Sequence, residues 1–300
     1  MLNDYIIEIL LNILFVKGAS MKKILSVLFL TTITIFAQVE LPRLSPNASV
    51  NQKIGYTNIT VEYCRPSVHN RKIWGDLVPY NKVWRTGANE ATTIQFSTDV
   101  TVDGNKIPAG RYSLFTIPDV KEWTIIFNKV DKQWGAFNYK EDQDFIRFKV
   151  TPKENEFVES LIFYFSDITQ NSVLLNIAWE KIKVSFKIEI DVLTQAYQKV
   201  KEGLANAKAD DWQSYASSAN YFADNNVYLD DALIWIDKAI SIGDNYYPFF
   251  VKAKILFKQN KFKDALNYIN KTREVGRKDK NYEFFVAQVD MLEKQIKEKM

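Results

Sequence analysis

The hydrophobic period changes once along this chain, near residue 190, and that change limits it to a β-layered half followed by a helical half. Before it, apolar and polar residues alternate. Ile59, Val61 and Tyr63 interleave with Thr60, Glu62 and Cys64, and Ile182, Val184, Phe186, Ile188 and Ile190 interleave with Lys181, Lys183, Ser185, Lys187 and Glu189. A period of two is the mark of a strand with one buried face. Val100–Val102 runs into Asp103-Gly104, a hairpin signal because both positions tolerate positive φ. Further strand-like runs are Tyr112–Ile117, Trp123–Asn128, Phe145–Val150, Leu161–Phe165 and Ser172–Trp179. Many short strands parted by turns predict an all-β antiparallel sandwich or barrel-like domain.

From Leu193 onward the spacing is helical and a repeat emerges. DALIWIDKAISIG (Asp231–Gly243) matches DALNYINKTREVG (Asp264–Gly276) at an offset of 33 residues. A helix precedes each copy, at Trp212–Ala223 and Pro248–Gln259. Helix pairs at that period resemble degenerate tetratricopeptide repeats, in which small residues such as Ala232 and Ala265 allow close packing. A last helix, Tyr282–Lys299, carries Phe285, Val289, Leu292 and Ile296 on one face and is expected to cap the stack. The fold class expected is thus a β-sandwich-like domain over 38–192 plus an all-α helical-hairpin repeat domain over 193–300.

The N-terminus carries an export pattern. Met21-Lys22-Lys23 gives a basic start, Ile24–Phe36 an apolar run of 13 residues, and Ala37 a small residue for cleavage. That run is short for a bilayer-spanning helix, which needs about 20 apolar residues. Residues 21–37 are therefore expected to be a signal peptide and 1–20 an upstream extension. The protein should then reside in the periplasm or outside the cell, with the membrane involved only in export. One Cys excludes an intramolecular disulfide, and one His excludes the usual His-rich zinc site. A net charge of +3 gives no reason to invoke nucleic acid. No cofactor is indicated.

The segment least explained by either period is HNRKIWGDLVPYNKVWRTGANEAT, His69–Thr92. An irregular connector longer than roughly 12–15 residues is functional or disordered, and Ile73, Trp74, Leu77, Val78, Tyr80, Val83 and Trp84 bring too much apolar surface for disorder. Two readings stay open. In one, Arg65, Arg71, Arg85, Asn89 and Glu90 line a cleft with Trp74, Tyr80 and Trp84, where guanidinium groups bind anions bidentately and rings stack on a sugar or aromatic ligand. In the other, Arg85 pairs with Glu90 or Asp76, Asn89 caps the turn and the indoles plug the open end of the sandwich. Trp134–Tyr139 (WGAFNY) forms a second aromatic turn that is read as core, or as another wall of the same cleft.

The run CRPSVHNRKIWGDLVPYNKVWRTGANEATTIQFSTDVTVDGNKIPAGRYSLFTIP, with the later WTIIFNKVDKQWGAFNY and LNIAWEKIKVSFKIEI, resembles the domain-of-unknown-function family 2911 from about Ser45 to Asp191. The resemblance implies an exported protein of a Gram-negative envelope and brings no catalytic residues. In that family the positions of Cys64 and His69 usually hold other residues, which argues against chemistry resting on the pair.

The expectation is a non-enzymatic binding or scaffold protein. The β domain would take a small molecule or glycan, and the helical repeats a protein partner. The basic residues Lys252, Lys254, Lys258, Lys261 and Lys263 are read as a solvated face, with an acidic partner peptide as the alternative. Other readings are an envelope enzyme acting on carbohydrate or peptide through Glu90 or Asp76 with Arg85, and a purely structural assembly module.

Overall fold

In the computed structural model, which describes residues 41–300, the alternating segments become strands that share one interior. The expected extension 1–20 and signal peptide 21–37 lie outside the described residues. The strands are β1 (Asn47–Ile54), β2 (Thr57–Cys64), β3 (Thr93–Phe96), β4 (Val100–Val102), β5 (Asn105–Ile107), β6 (Gly110–Ile117), β7 (Trp123–Asn128), β8 (Asp144–Val150), β9 (Lys153–Ser166) and β10 (Ser172–Glu189). They form two antiparallel sheets, ordered β1-β2-β3-β6-β7-β8 and β5-β4-β10-β9.

Register explains the core. Ile59 lies opposite Phe96 and Val61 opposite Ile94, so the apolar sets of β2 and β3 turn to the same face. They meet Leu161 and Phe163 of β9 and Leu175, Ile177, Val184, Phe186 and Ile188 of β10. Aromatic contacts cross the gap, with Tyr63 and Phe163 ring centroids 4.5 Å apart and Phe127 and Phe186 6.0 Å apart. The expected Asp103-Gly104 hairpin is present, with φ of +47° and +79°.

The strand β10 doubles back on itself. Ser185 Oγ donates to Asn176 Oδ1 at 2.7 Å, and Ile190 N donates to Asn171 O at 2.8 Å. Both pairs fit one antiparallel register centred on Glu180-Lys181, where Glu180 has φ +53°. A straight strand would hold Asn176 and Ser185 about 30 Å apart, so the two halves lie side by side. This is the break between Ser172–Trp179 and Lys181–Ile190 that the alternation anticipates. Three elements gave no clear alternation: β1, β5 and the first half of β9. The first half of β9 and all of β1 except Ile54 are exposed or half-buried, so selection for an apolar face is weak there.

Six helices follow: α1 (Val192–Ala205), α2 (Trp212–Asp224), α3 (Leu229–Ile242), α4 (Tyr246–Lys258), α5 (Phe262–Gly276) and α6 (Val286–Lys297). Three of their starts are set by side-chain caps. Asp191 accepts from Thr194 N, Asp211 from Ser214 N and Asn245 from Tyr247 N, each satisfying an amide that the helix itself leaves open. The helices pair as α2/α3 and α4/α5. The residues equivalent at the 33-residue offset play equal parts, since Ala232 and Ala265, then Ile236 and Ile269, are fully buried.

The expected helix Tyr282–Lys299 is shorter than anticipated. Tyr282–Phe284 forms a 3-10 turn and α6 starts at Val286. Tyr282 N donates to Asp279 O in that turn, seating the Tyr282 ring over Gly276, where a Cβ would stand 2.3 Å from the ring. Val289, Leu292 and Ile296 face the core as expected.

The two halves meet at the start of α1. Val192 packs on Gly55 of the β1–β2 turn, where a Cβ would come within 2.7 Å of its methyl. Gln195 Nε2 donates to Thr98 Oγ1 at 2.9 Å.

Two substitutions test this packing. Trp179→Ala should lower the unfolding free energy by about 3–5 kcal/mol in urea titration, as for large buried aromatics. Gly276→Ala should lower it by about 1–3 kcal/mol although alanine favours helix, because the methyl overlaps the Tyr282 ring.

Candidate functional site

After β2 the chain crosses to the other sheet. Leu161 N donates to Pro66 O and Val68 N to Glu159 O, so residues 66–68 run beside β9, with a single bridge from Ser67 to Ser160. A tight turn closed by Val78 N to Ile73 O then delivers Trp74 between the sheets. The chain returns to the first sheet at Trp84, which exchanges both backbone bonds with Thr116 at 2.7 and 2.9 Å.

Trp74 and Trp84 join Trp123 and Trp179 in one cluster. Trp74 lies 4.9–5.9 Å from the other three, with its ring tilted steeply against each. Trp84 stacks on Trp179 at 5.8 Å and 17°. Trp84 Nε1 donates to Gly87 O at 3.2 Å and Trp179 Nε1 to Glu159 O at 3.3 Å. Of the two readings of the connector, the indoles follow the plug.

Other expected site residues, Arg85 excepted, also have structural partners. Arg65 Nε donates to Leu161 O at 2.9 Å, and Arg71 to Val68 O and Ser67 O at 3.0 and 2.5 Å. The Tyr80 ring covers Gly75, which has φ +81°. Arg85 is half-buried, its Nε without a partner among the described residues, and burial lowers its pKa while nearby Cys64 opposes the shift. Asn89, with φ +56°, accepts from Gly135 N at 2.9 Å through its carbonyl. The connector therefore does not gather these eight residues around one cleft.

A pocket lies instead on the outer face of the six-stranded sheet. It encloses about 680 Å³, with Glu62, Cys64, Thr93 and Arg111 on its floor and Gln133 and Trp134 on its wall. Glu90 alone of the eight expected residues contributes to it. Pairing of Glu62 with Thr93 and of Thr93 with Ser113 brings β2, β3 and β6 into line, so Arg111, two residues from Ser113, sits diagonal to Glu62. The two form an ion pair, and Asp131 Oδ2 stands 3.7 Å from Arg111 Nε on the other side. Cys64 Sγ donates to Asn47 Oδ1 at 2.9 Å and lies 3.6 Å from Glu90 Oε2. His69 is exposed and its amide bonds Glu159, so no imidazole faces the thiol.

The wall is a fixed loop. Ala91 N donates to Gln133 O and Gly135 N to Asn89 O, both at 2.9 Å, which zips the connector to the Trp134 turn. Beneath it, fully buried Asn128 accepts from Val130 N and Gln133 Nε2 at 3.1 Å and donates to Asp144 at 2.8 Å. Ser113 Oγ holds Val130 O at 2.7 Å. Tyr139 OH donates to Asp144 Oδ2 at 2.7 Å, and its ring packs 5.1 Å from Phe115 in a small outer core with Ala91 and Ile126. Trp134 nevertheless stays 56 % exposed and Phe137 82 %.

The sequence singled out the Trp134 turn but not Glu62, Arg111 or Asp131. Charged residues on the polar side of a strand look like a solvated face, and only strand order brings them together. Among the described residues, no group of three or more His, Cys, Asp or Glu is placed to hold a metal.

Burial first, then the bond to Asp144, pushes the Tyr139 phenol up to about 12. An acid whose folded pKa is raised stabilises the fold below its unfolded value, about 10, and loses that contribution as pH climbs to 12. Thermal melts at pH 9 and pH 11.5 should show a smaller alkaline loss in Tyr139→Phe than in the parent protein, with lower stability of the variant at pH 9.

No curated protein and no solved structure matches the chain. Residues 45–188, which span the two sheets and the pocket, match the family described as "Protein of unknown function (DUF2911)".

Proposed function

We propose that this is an exported, non-catalytic binding protein. Its outer pocket takes a small polar molecule or glycan, and its helical hairpins, stacked in the manner of tetratricopeptide repeats, dock a protein partner. Export is supported by the basic-apolar-small pattern of residues 21–37.

One observation carries the ligand reading: Trp134 remains largely exposed while its loop is pinned by the Asn128–Gln133 bonds and the Glu90–Trp134 bridge. An indole offers a flat apolar face and a donor, and fixing its loop beforehand lowers the ordering cost of stacking on a ligand. The volume, about 680 Å³, falls within the usual range for small-molecule sites. Catalysis has weaker support. Of the groups expected to act in that reading, Glu90 or Asp76 with Arg85, Asp76 is exposed on the connector and neither it nor Arg85 lines the pocket.

The helical reading rests on the repeat and on the burial of Ala232 and Ala265. Two of the five lysines anticipated as a basic face tie helices together. Lys252 pairs with Asp237 of α3, and Lys254 with Asp224 of α2 at 2.7 Å. A partner would meet the remaining surface of the hairpins.

Trp134→Ala tests the pocket. On a glycan array the variant should lose about tenfold in affinity for whatever the parent captures, since stacking is worth about 0.5–1.5 kcal/mol beyond the apolar area it covers. Its urea midpoint should stay close to the parent's, because the side chain is mostly solvated. Undiminished capture by Trp134→Ala would remove the ligand reading.

A further inference from the structure

Resting on the pocket reading above, we infer that the site selects uncharged, hydroxyl-rich ligands and rejects carboxylated or phosphorylated ones. The selector is the Glu62–Arg111–Asp131 bridge across its floor.

Carboxylates outnumber cations around the pocket. Three carboxylate residues, Glu62, Glu90 and Asp131, line it against two cationic ones, Arg111 and Lys132. Arg111, the cation on the floor, already has a carboxylate on each side, Glu62 in contact and Asp131 at 3.7 Å. An anion seeking Arg111 would have to displace one carboxylate and sit beside the other, and like charges at such range repel. A sugar hydroxyl meets no such penalty, since it donates to a carboxylate and brings no charge. Phosphate- or uronate-binding sites present unopposed guanidinium forks; this floor does not.

The test sets neutral gluco-, manno- and xylo-configured hexasaccharides against uronate hexasaccharides on one array, using the full-length protein after export. The expected result for the parent is capture of neutral sugars at least tenfold tighter than of uronates. Glu62→Gln combined with Asp131→Asn leaves Arg111 without opposing charge. It should raise the uronate-to-neutral affinity ratio at least tenfold, and the gained uronate binding should weaken with salt. Should the double variant fail to fold, Asp131→Asn alone should move the ratio in the same direction. Uronates bound by the parent as tightly as neutral sugars, or a ratio unmoved in a folded variant, would overturn the selectivity while leaving the pocket intact. Capture that Trp134→Ala does not weaken, or no capture of any sugar, would instead bring down the pocket reading, and the selectivity with it.

Discussion

The junction of four indoles holds the β half together. Trp74 and Trp84 arrive from the connector, Trp123 from the first sheet and Trp179 from the second, so each part of the sandwich places one large ring at the same point. Rings of this size bury on the order of 150–250 Å² each. The connector earns its order here, since a segment without a ladder needs apolar burial to offset its conformational entropy. Val68, Ile73 and Val78 of the connector are buried in the same core, and the indoles are its largest anchors.

From that junction the constraint passes outward. Trp84 points into the sandwich, yet five residues later the same segment zips onto the 133–135 turn outside it. The connector thus links the interior to the pocket wall through continuous hydrogen bonding. Gly87 eases the passage, because a Cβ there would crowd Thr92 Oγ1 at 3.0 Å and Cys64 O, at the end of β2, at 3.1 Å. Core packing and the position of Trp134 are two ends of one device.

What the sequence made legible follows the same physics. Alternation exposed β2 and both halves of β10, where one face is buried and the other is polar or partly exposed, and the helical spacing exposed the hairpins. It passed over β1, whose residues are nearly all exposed or half-buried. The aromatic and guanidinium richness of the connector was visible too, but composition could not tell a plug from a cleft. Arg65 and Arg71 look like ligand forks on paper, and in the fold they hold backbone carbonyls of β9 and of the connector itself. Glu62, Arg111 and Asp131 are scattered in sequence, and strand order alone makes them neighbours.

The backbone of the connector records how firmly the two ends are joined. His69, Asn70, Asn81, Thr86 and Asn89 all have positive φ. Asn tolerates that region, but a β-branched residue there is strained, at a cost of order 1–3 kcal/mol. Thr86, at φ +55°, is fully buried and held from several sides. Its Oγ1 donates to Thr116 Oγ1 at 3.1 Å, and its carbonyl accepts from Thr92 Oγ1 at 2.8 Å. The left-handed turn reverses the chain directly after Trp84, so the indole can enter the core while Glu90 emerges at the pocket. A relaxed extended residue at 86 would carry the chain onward along β6 and separate the two. Strain persists only where the surroundings over-determine it, and here they do so at the residue that joins the plug to the pocket.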